Sequence, residues 1–430
     1  MYFKFLSLAL SLLFIFNLCP VQSQIPGQKG NKQAYILTEN SAKEIVTIVL
    51  KLSPVIDGHN DLFVHYFDCG DCPKDLTEYR IDTSNTGQTD IPRWRKGGVG
   101  GVLLNVFGRE KNIDSYLQAW DLLYRMENTY SSNLKIVSTS AEMKEMMQRG
   151  KIAILPSLEG AVRLGNNMYL LRTYYKLGLR SVTFAYNTNQ LADGSNDTAK
   201  YNGISEWGKE MVKEMNRLGI LIDMSHISSK AMNDILDITK SPVIFSHSNA
   251  KALCEVTRNV PDEVLLRLKQ NKGIIMLTPV PYFTTNEYNN WLNRVDSLEN
   301  ILMSRFQKNP GDSTVLDNLH MQWEKENPAP VVTIFDLADH FDYIKKLIGV
   351  DYIGIGGDYD GIHYTIKGME DANSYPMFLT ELARRGWTEK ELRQITSENF
   401  LRVFKEVELK AAQLQKELKP SLVTYSGKNQ

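Results

Sequence analysis

Eight short runs rich in apolar and β-branched residues recur down this chain, separated mostly by segments of helical periodicity. That alternation limits the fold to a parallel sheet with crossover helices. The runs are 54–61 (PVIDGHND), 99–107 (VGGVLLNVF), 151–160 (KIAILPSLEG), 180–186 (RSVTFAY), 219–226 (GILIDMSH), 242–248 (PVIFSHS), 273–280 (GIIMLTPV) and 352–358 (YIGIGGD). Between the fourth and fifth runs, Trp207, Met211, Met215 and Leu218 recur at spacings of three or four and mark one helical face, with Ser205 placed to cap it and Gly219 to stop it. No glycine fingerprint follows the first run, so a barrel is favoured over a dinucleotide-binding sheet. The fold class is therefore α/β, a (β/α)8 TIM-like barrel, with a long insertion after the seventh strand at about 281–332. That insertion carries Trp291 and Trp323, and a lid over the C-terminal face or an external helical insertion fits it equally well.

Such a barrel needs a large apolar core, which 430 residues at 43% hydrophobic content supply. Lys and Arg number 49 against 50 Asp and Glu, so no basic excess exists to meet a nucleic acid. The first residues place Lys4 before an apolar run from Phe5 to Phe16, followed by Val21 and Ser23, which reads as a signal peptide over 1–23. That run is too short to span a bilayer, and no later stretch approaches about 20 apolar residues, so no transmembrane segment is expected. An exported protein follows, periplasmic or secreted; a lipid on Cys19 is disfavoured by the bulky Phe16-Asn17-Leu18 before it. The remaining chain divides into a lead-in at 24–52, the barrel at 53–406 and a tail at 407–430. Cys69 and Cys72 form a CxxC that suits a loop disulfide, and Cys254 reads as a buried small hydrophobe.

The decisive pattern is what stands where the runs end. His59 and Asp61 close the first run two positions apart, so both side chains point to one side of an extended segment. The third run ends in Glu159, the fifth in His226, the sixth in His247 and the eighth in Asp358. Each alone has a plainer explanation as a packed imidazole, a cap or a turn former. Together they put three of the chain's seven histidines and three carboxylates where barrel active sites are built. His65, His320, His340 and His363 fall off the pattern and read as surface or packing residues. Three imidazoles with two carboxylates suit zinc better than magnesium. One zinc rarely takes five protein ligands, whereas sharing Glu159 between two zinc ions gives each three and leaves room for a bridging water.

With these residues in place, the chain resembles the membrane (renal) dipeptidase family, zinc dipeptidases among the amidohydrolase-type metal barrels. The likeness runs from about Ser53 to Glu406 through DGHNDL, LEG, EMNRLGILIDMSH, PVIFSHS, TRNVPDEVL and IGIGGDYDG. It implies that His59 and Asp61 bind one zinc, Glu159 bridges, and His226 and His247 bind the second. It also implies substrate-carboxylate binding by Arg258, proton transfer by Asp358, dipeptide substrates and a homodimer. The physical chemistry agrees, because a planar guanidinium grips a carboxylate bidentately and a strand-end carboxyl can pass a proton from water to a departing amine.

The chain departs from the family at several places. Tyr186 stands where relatives present an imidazole, NTNQLAD lacks the usual Pro-Trp, and LEGAVRLG replaces a Gly-Gly-His sequence. The disulfide cysteines of animal members are missing, and the end LVTYSGKNQ offers no apolar tail for a glycolipid anchor, so a secreted or bacterial periplasmic member is expected. Tyr186 is expected to reach the substrate through its hydroxyl; packing alone is the plainer role. Two rivals remain at this stage, a related metal hydrolase of another carboxylate-bearing amide or lactone, and a silent binding protein on the same barrel.

Overall fold

Each of the eight runs contains a strand in the computed structural model, which describes residues 35–68, 75–108, 112–164, 167–308 and 313–424. The strands are β1 (Val55–Asn60), β2 (Val99–Asn105), β3 (Leu134–Ile136), β4 (Ile152–Glu159), β5 (Ser181–Thr183), β6 (Leu221–Asp223), β7 (Ile244–Phe245), β8 (Ile274–Leu277) and β9 (Ile353–Ile355). All pair in parallel, in the order β2-β1-β9-β8-β7-β6-β5-β4, and β2 pairs with β4 to close an eight-stranded ring. Their nearly unbroken apolar character follows from burial on both faces.

The ninth strand, β3, escaped the sequence reading because three residues, Leu134, Lys135 and Ile136, carry no period of their own. It pairs with β4 at Ile152–Ile154, while β5 pairs with β4 further on at Ser157–Glu159. The two therefore share one edge of β4 in succession, and β3 stands outside the ring.

The helix expected before the fifth run spans Glu206–Leu218, capped by the Ser205 side chain accepting from the Gly208 amide and ended by Gly219 at φ 86°. Trp207, Met211, Met215 and Leu218 are all buried on its inner face. The C-terminal helix Asn399–Glu417 plugs the N-terminal end of the barrel. Its Phe400, Val403, Phe404 and Val407 join Ile56, Leu103, Leu155, Leu221, Ile244, Ile274 and Met276 in one apolar cluster. With that end sealed by hydrocarbon, polar side chains are left to the other end.

The insertion forms helices Pro281–Thr284, Asn286–Lys308 and Ser313–Glu326. Its first turn approaches the C-terminal end of the barrel, where the Phe283 ring lies 5.2 Å from the Arg258 guanidinium. Helix Asn286–Lys308 is tied to the loop after β9 by aromatic contacts of Tyr288 and Trp291 with Tyr364, and Trp291 Nε1 donates to the Asn327 carbonyl at 2.7 Å. No helix among the described residues is long and apolar enough to cross a membrane. Cys19, the leader and the Cys69/Cys72 pair lie outside the described residues, whereas Cys254 is a free, buried thiol.

The histidines set aside by the sequence pattern are accounted for differently from the strand-end ones. His65 pairs with Asp360 at 2.9 Å, His363 is exposed, and the His320 side chain lies outside the described set. His340, on helix Ile334–Ile348, is buried: Nδ1 accepts from the Ala250 amide at 3.2 Å and Nε2–H donates to the Thr284 carbonyl at 2.9 Å. Burial pushes this imidazole down to about 4. An unfolded imidazole takes its proton near 6.5, so between roughly pH 6.5 and 4 the unfolded chain binds more protons and stability falls as pH falls. His340→Gln keeps a donor and an acceptor but cannot titrate. Denaturant titrations at about pH 7 and about pH 4.5 should show the variant losing about 2 kcal/mol less than the parent over that interval. Equal losses would show that His340 is not the group held neutral.

Candidate metal centre

At the C-terminal end of the barrel the strand-end residues converge. His59 lies in β1 and Asp61 just after it; Glu159 is the last residue of β4; His226, His247 and Asp358 follow β6, β7 and β9 within three residues. The H-x-D pair meets at 3.2 Å between His59 Nε2 and Asp61 Oδ2. Glu159 Oε1 stands at the centre, 2.9 Å from His226 Nε2, 3.4 Å from His247 Nε2 and 3.7 Å from His59 Nε2. The two later imidazoles face each other at 2.8 Å between their Nε2 atoms. Donor atoms of His59, Glu159 and His247 lie within 4.8 Å of one another, and so do those of His59, Asp61 and Asp358.

Local backbone chemistry explains how these groups are delivered. Gly58, inside the H-x-D strand, runs so close to the Ser246 carbonyl that a Cβ there would collide with it. Gly361 does the same for the Asp61 carboxylate, which accounts for the glycine closing DYDG. His226 and Asp358 adopt left-handed conformations, φ 70° and 56°, at a cost of order 1–3 kcal/mol each. Surrounding bonds hold them there: the Ser195 amide donates to the His226 carbonyl at 2.7 Å, and the Asp358 amide donates to the His59 carbonyl at 3.0 Å.

Asn105, the last residue of β2, was missed by the sequence reading. Its Nδ2 donates to Asp61 Oδ1 at 2.8 Å and lies 3.4 Å from Glu159 Oε2, while its Oδ1 accepts from the Glu159 amide at 3.0 Å. One amide therefore steadies both carboxylates. The only available signal was its place at a strand end, because an asparagine is not a metal-ligand type by itself.

Among the described residues, three carboxylates, Asp61, Glu159 and Asp358, are gathered here against one permanent cation, Arg258, and the charges respond. Burial opposes protonation of His59, yet Asp61 and Glu159 drive it well above the usual imidazole range. Burial would raise Glu159, but His59 and His226 hold it well below the ordinary carboxylate range. Asp358 goes the other way, lifted well above that range by burial, with Asp61 and Glu159 adding to it and His59 opposing. Burial and the Arg258 charge bring His226 down to about 4, and burial with His59 and Arg258 holds His247 well below its usual value. Positive charge is thus favoured between His59 and the carboxylates, while two imidazoles held neutral bring their Nε2 atoms to the same point. His59 Nε2 is moreover buried without a hydrogen-bond partner among the described residues. That donor set fits a divalent cation bound by nitrogen and oxygen.

The remaining candidates surround this cluster. Arg258 is fully buried, donates from NH1 to Ser248 Oγ at 2.6 Å and from NH2 to the His247 carbonyl at 2.8 Å, and makes no ion pair among the described residues. Tyr186 is half-exposed, with its ring centroid 4.6 Å from that of His226. Partial burial, then Glu159 and Asp358, push its phenol up to about 12, so it keeps a hydrogen to donate.

Comparison with known proteins adds an independent view. The model of the membrane dipeptidase family, peptidase family M19, matches residues 43–418. "Dipeptidase tcpJ" of Claviceps purpurea is 34% identical over 387 residues, covering 85% of this chain and 80% of the relative. "Dipeptidase verJ" of Clonostachys rogersoniana is 30% identical over 390 residues, 87% of this chain and 88% of that one. Among solved structures, the probable dipeptidase PvdM from Pseudomonas aeruginosa superposes with a TM-score of 0.74 at 23% identity, over 86% of this chain and 100% of that one.

Replacing Glu159 and Asn105 should separate a group that holds metal from one that steadies its holders. Glu159→Gln is expected to lose tight metal binding, and Asn105→Ala to weaken it by about 10–100-fold, as read by chelator competition. An unchanged affinity in Glu159→Gln would remove it from the centre of the site.

Proposed function

The chain belongs to the membrane dipeptidase family and is a metal-dependent dipeptidase, and on that premise we propose that it works with two zinc ions on free dipeptides. The observation that carries this reading is the placement of Glu159 Oε1 within 2.9–3.7 Å of all three imidazoles. His59 and Asp61 would hold one ion and His226 and His247 the other, with Glu159 placed to serve both. Two zinc ions held so would make a water acidic enough to attack at neutral pH and would act as a Lewis acid toward the scissile carbonyl.

The chain's own residues do the rest. Arg258 has donors left after Ser248 and the His247 carbonyl are served, and it binds the dipeptide's C-terminal carboxylate. Fixing that end sets the substrate's length, because a further residue would occupy the place of the guanidinium. Asp358 takes the proton from the attacking water and gives it to the departing amine as the C–N bond breaks. Tyr186 donates its hydroxyl hydrogen to the oxyanion in place of the imidazole of relatives. Export, to a periplasm or outside the cell, and a homodimer complete the proposal; the first is supported by the N-terminal leader pattern and the second by the resemblance.

Zinc-loaded protein should hydrolyse dipeptides and spare both tripeptides and C-terminally amidated dipeptides. Arg258→Met should raise KM by about 1.5–3 kcal/mol, roughly tenfold to over a hundredfold, through loss of a charge-assisted contact. Equal cleavage of amidated and free dipeptides by the parent would remove the carboxylate clamp.

Tyr186→Phe deletes one hydroxyl and leaves the ring against His226. If that hydroxyl reaches the transition state, kcat/KM should fall by about 2–4 kcal/mol with zinc content unchanged. Turnover equal to the parent's would leave Tyr186 a packing role only.

A further inference from the structure

Behind the metal centre lies a buried polar chain that no step above uses. Asp223, the last residue of β6, is 1% exposed and has four donors around it. The Ser225 and Ser246 amides reach Oδ1 at 3.0 Å each, and the hydroxyls of Thr183 and Ser246 reach Oδ2 at 2.6 and 2.5 Å. Its oxygens act as acceptors only.

A serine hydroxyl has one hydrogen, and that of Ser246 is committed to Asp223. Ser246 Oγ, 2.7 Å from His247 Nδ1, must therefore accept there, and His247 must carry its hydrogen on Nδ1. This leaves Nε2 as a bare lone pair, directed at Glu159 Oε1 3.4 Å away. The ring nitrogen meant for metal is thus selected by a carboxylate acting through an intervening serine.

The same carboxylate reaches Arg258 by a second branch. Asp223 Oδ1 holds the Ser225 amide at 3.0 Å without using the Ser246 hydroxyl, Ser248 donates to Ser225 Oγ at 3.3 Å, and the NH1 group of Arg258 donates to Ser248 Oγ. Ser225 Oγ also accepts the His247 amide at 3.2 Å, and all three serines are buried. Arg258 has no ion pair among the described residues and depends on this chain and the His247 carbonyl for its orientation.

We propose that Asp223 is a positioning residue with two outputs: through Ser246 it fixes the His247 tautomer that faces metal, and through Ser225 and Ser248 it aims Arg258 at the substrate carboxylate. The proposal rests on the roles given above to His247 and Arg258. Its distinguishing consequence is that the two outputs separate at the serines. Ser246 serves the metal ligand, and Ser248 serves the clamp.

The test compares full-length parent, Ser246→Ala, Ser248→Ala and Asp223→Asn. Zinc affinity is read by chelator competition, kcat and KM on L-alanyl-L-alanine, and the His247 tautomer by nitrogen NMR of the metal-free protein. Ser246→Ala should lose about 10–100-fold in zinc affinity and the fixed Nδ1–H signal, with KM at saturating zinc within about twofold of the parent. Ser248→Ala should keep zinc affinity and raise KM by about tenfold at little cost in kcat. Asp223→Asn should show both effects; the serine variants decide the matter if it does not fold. A Ser246→Ala protein with the parent's zinc affinity and tautomer overturns the first branch. A Ser248→Ala protein with unchanged KM, or with zinc affinity lowered as far as in Ser246→Ala, overturns the separation. A parent that neither binds zinc nor cleaves the dipeptide would overturn the reading of the site instead, while the tautomer measurement on metal-free protein would still judge the Asp223–Ser246 branch.

Discussion

Burying like charges together is costly, and this barrel gathers three carboxylates, Asp61, Glu159 and Asp358, at one end with Arg258 as the sole permanent counter-charge among the described residues. Much of the surrounding structure answers that cost. Asn105 donates to two of the carboxylates, the left-handed turns at His226 and Asp358 aim side chains that regular strands could not, and glycines at 58 and 361 clear the space. The protonation tendencies point the same way: His59 is drawn toward a positive charge and Asp358 toward a neutral carboxyl. Both follow from carboxylates gathered around one point, an arrangement whose donors suit a divalent cation.

The two ends of the barrel divide the labour. At the N-terminal end, Phe400 and Phe404 of the last helix seal the interior against Ile56, Leu155 and Met276, and that hydrocarbon plug bears on stability rather than chemistry. At the other end each strand stops short and hands the chain to a loop carrying polar groups. Because those loops start from a closed, parallel-bonded ring, residues as distant in sequence as His59 and Asp358 are held in register by a backbone hydrogen bond. The precision needed by a metal site thus comes from the ring, and its variety from the loops.

Much of this was legible in the chain. The strand runs, the helix between Ser205 and Gly219, the barrel class and the clustering of His59, Asp61, Glu159, His226, His247 and Asp358 all rest on short-range patterns, because a strand's end and a helix's face repeat within a few residues. Those patterns specify which residues reach the C-terminal rim. They do not specify distances across it.

Only the tertiary structure decided what depends on contacts between strands far apart in sequence. The short strand β3 exists because β4 has an edge left to pair below β5, a vacancy no three-residue pattern could announce. Asn105 acquired its place from two carboxylates, one 44 and the other 54 positions away. The insertion, for which lid and external helices stood level, meets Arg258 with its first turn and anchors its longest helix on Tyr364. Asp223 looked like an ordinary strand residue until Ser246 was brought to its carboxylate from β7. Sequence thus determined the kind of ligands and the rim they occupy, since those follow from residue type and local period. Which hydrogen sits on which nitrogen, and which carboxylate is steadied by which amide, had to await the closing of the barrel, because hydrogen bonds of that kind are made only across it.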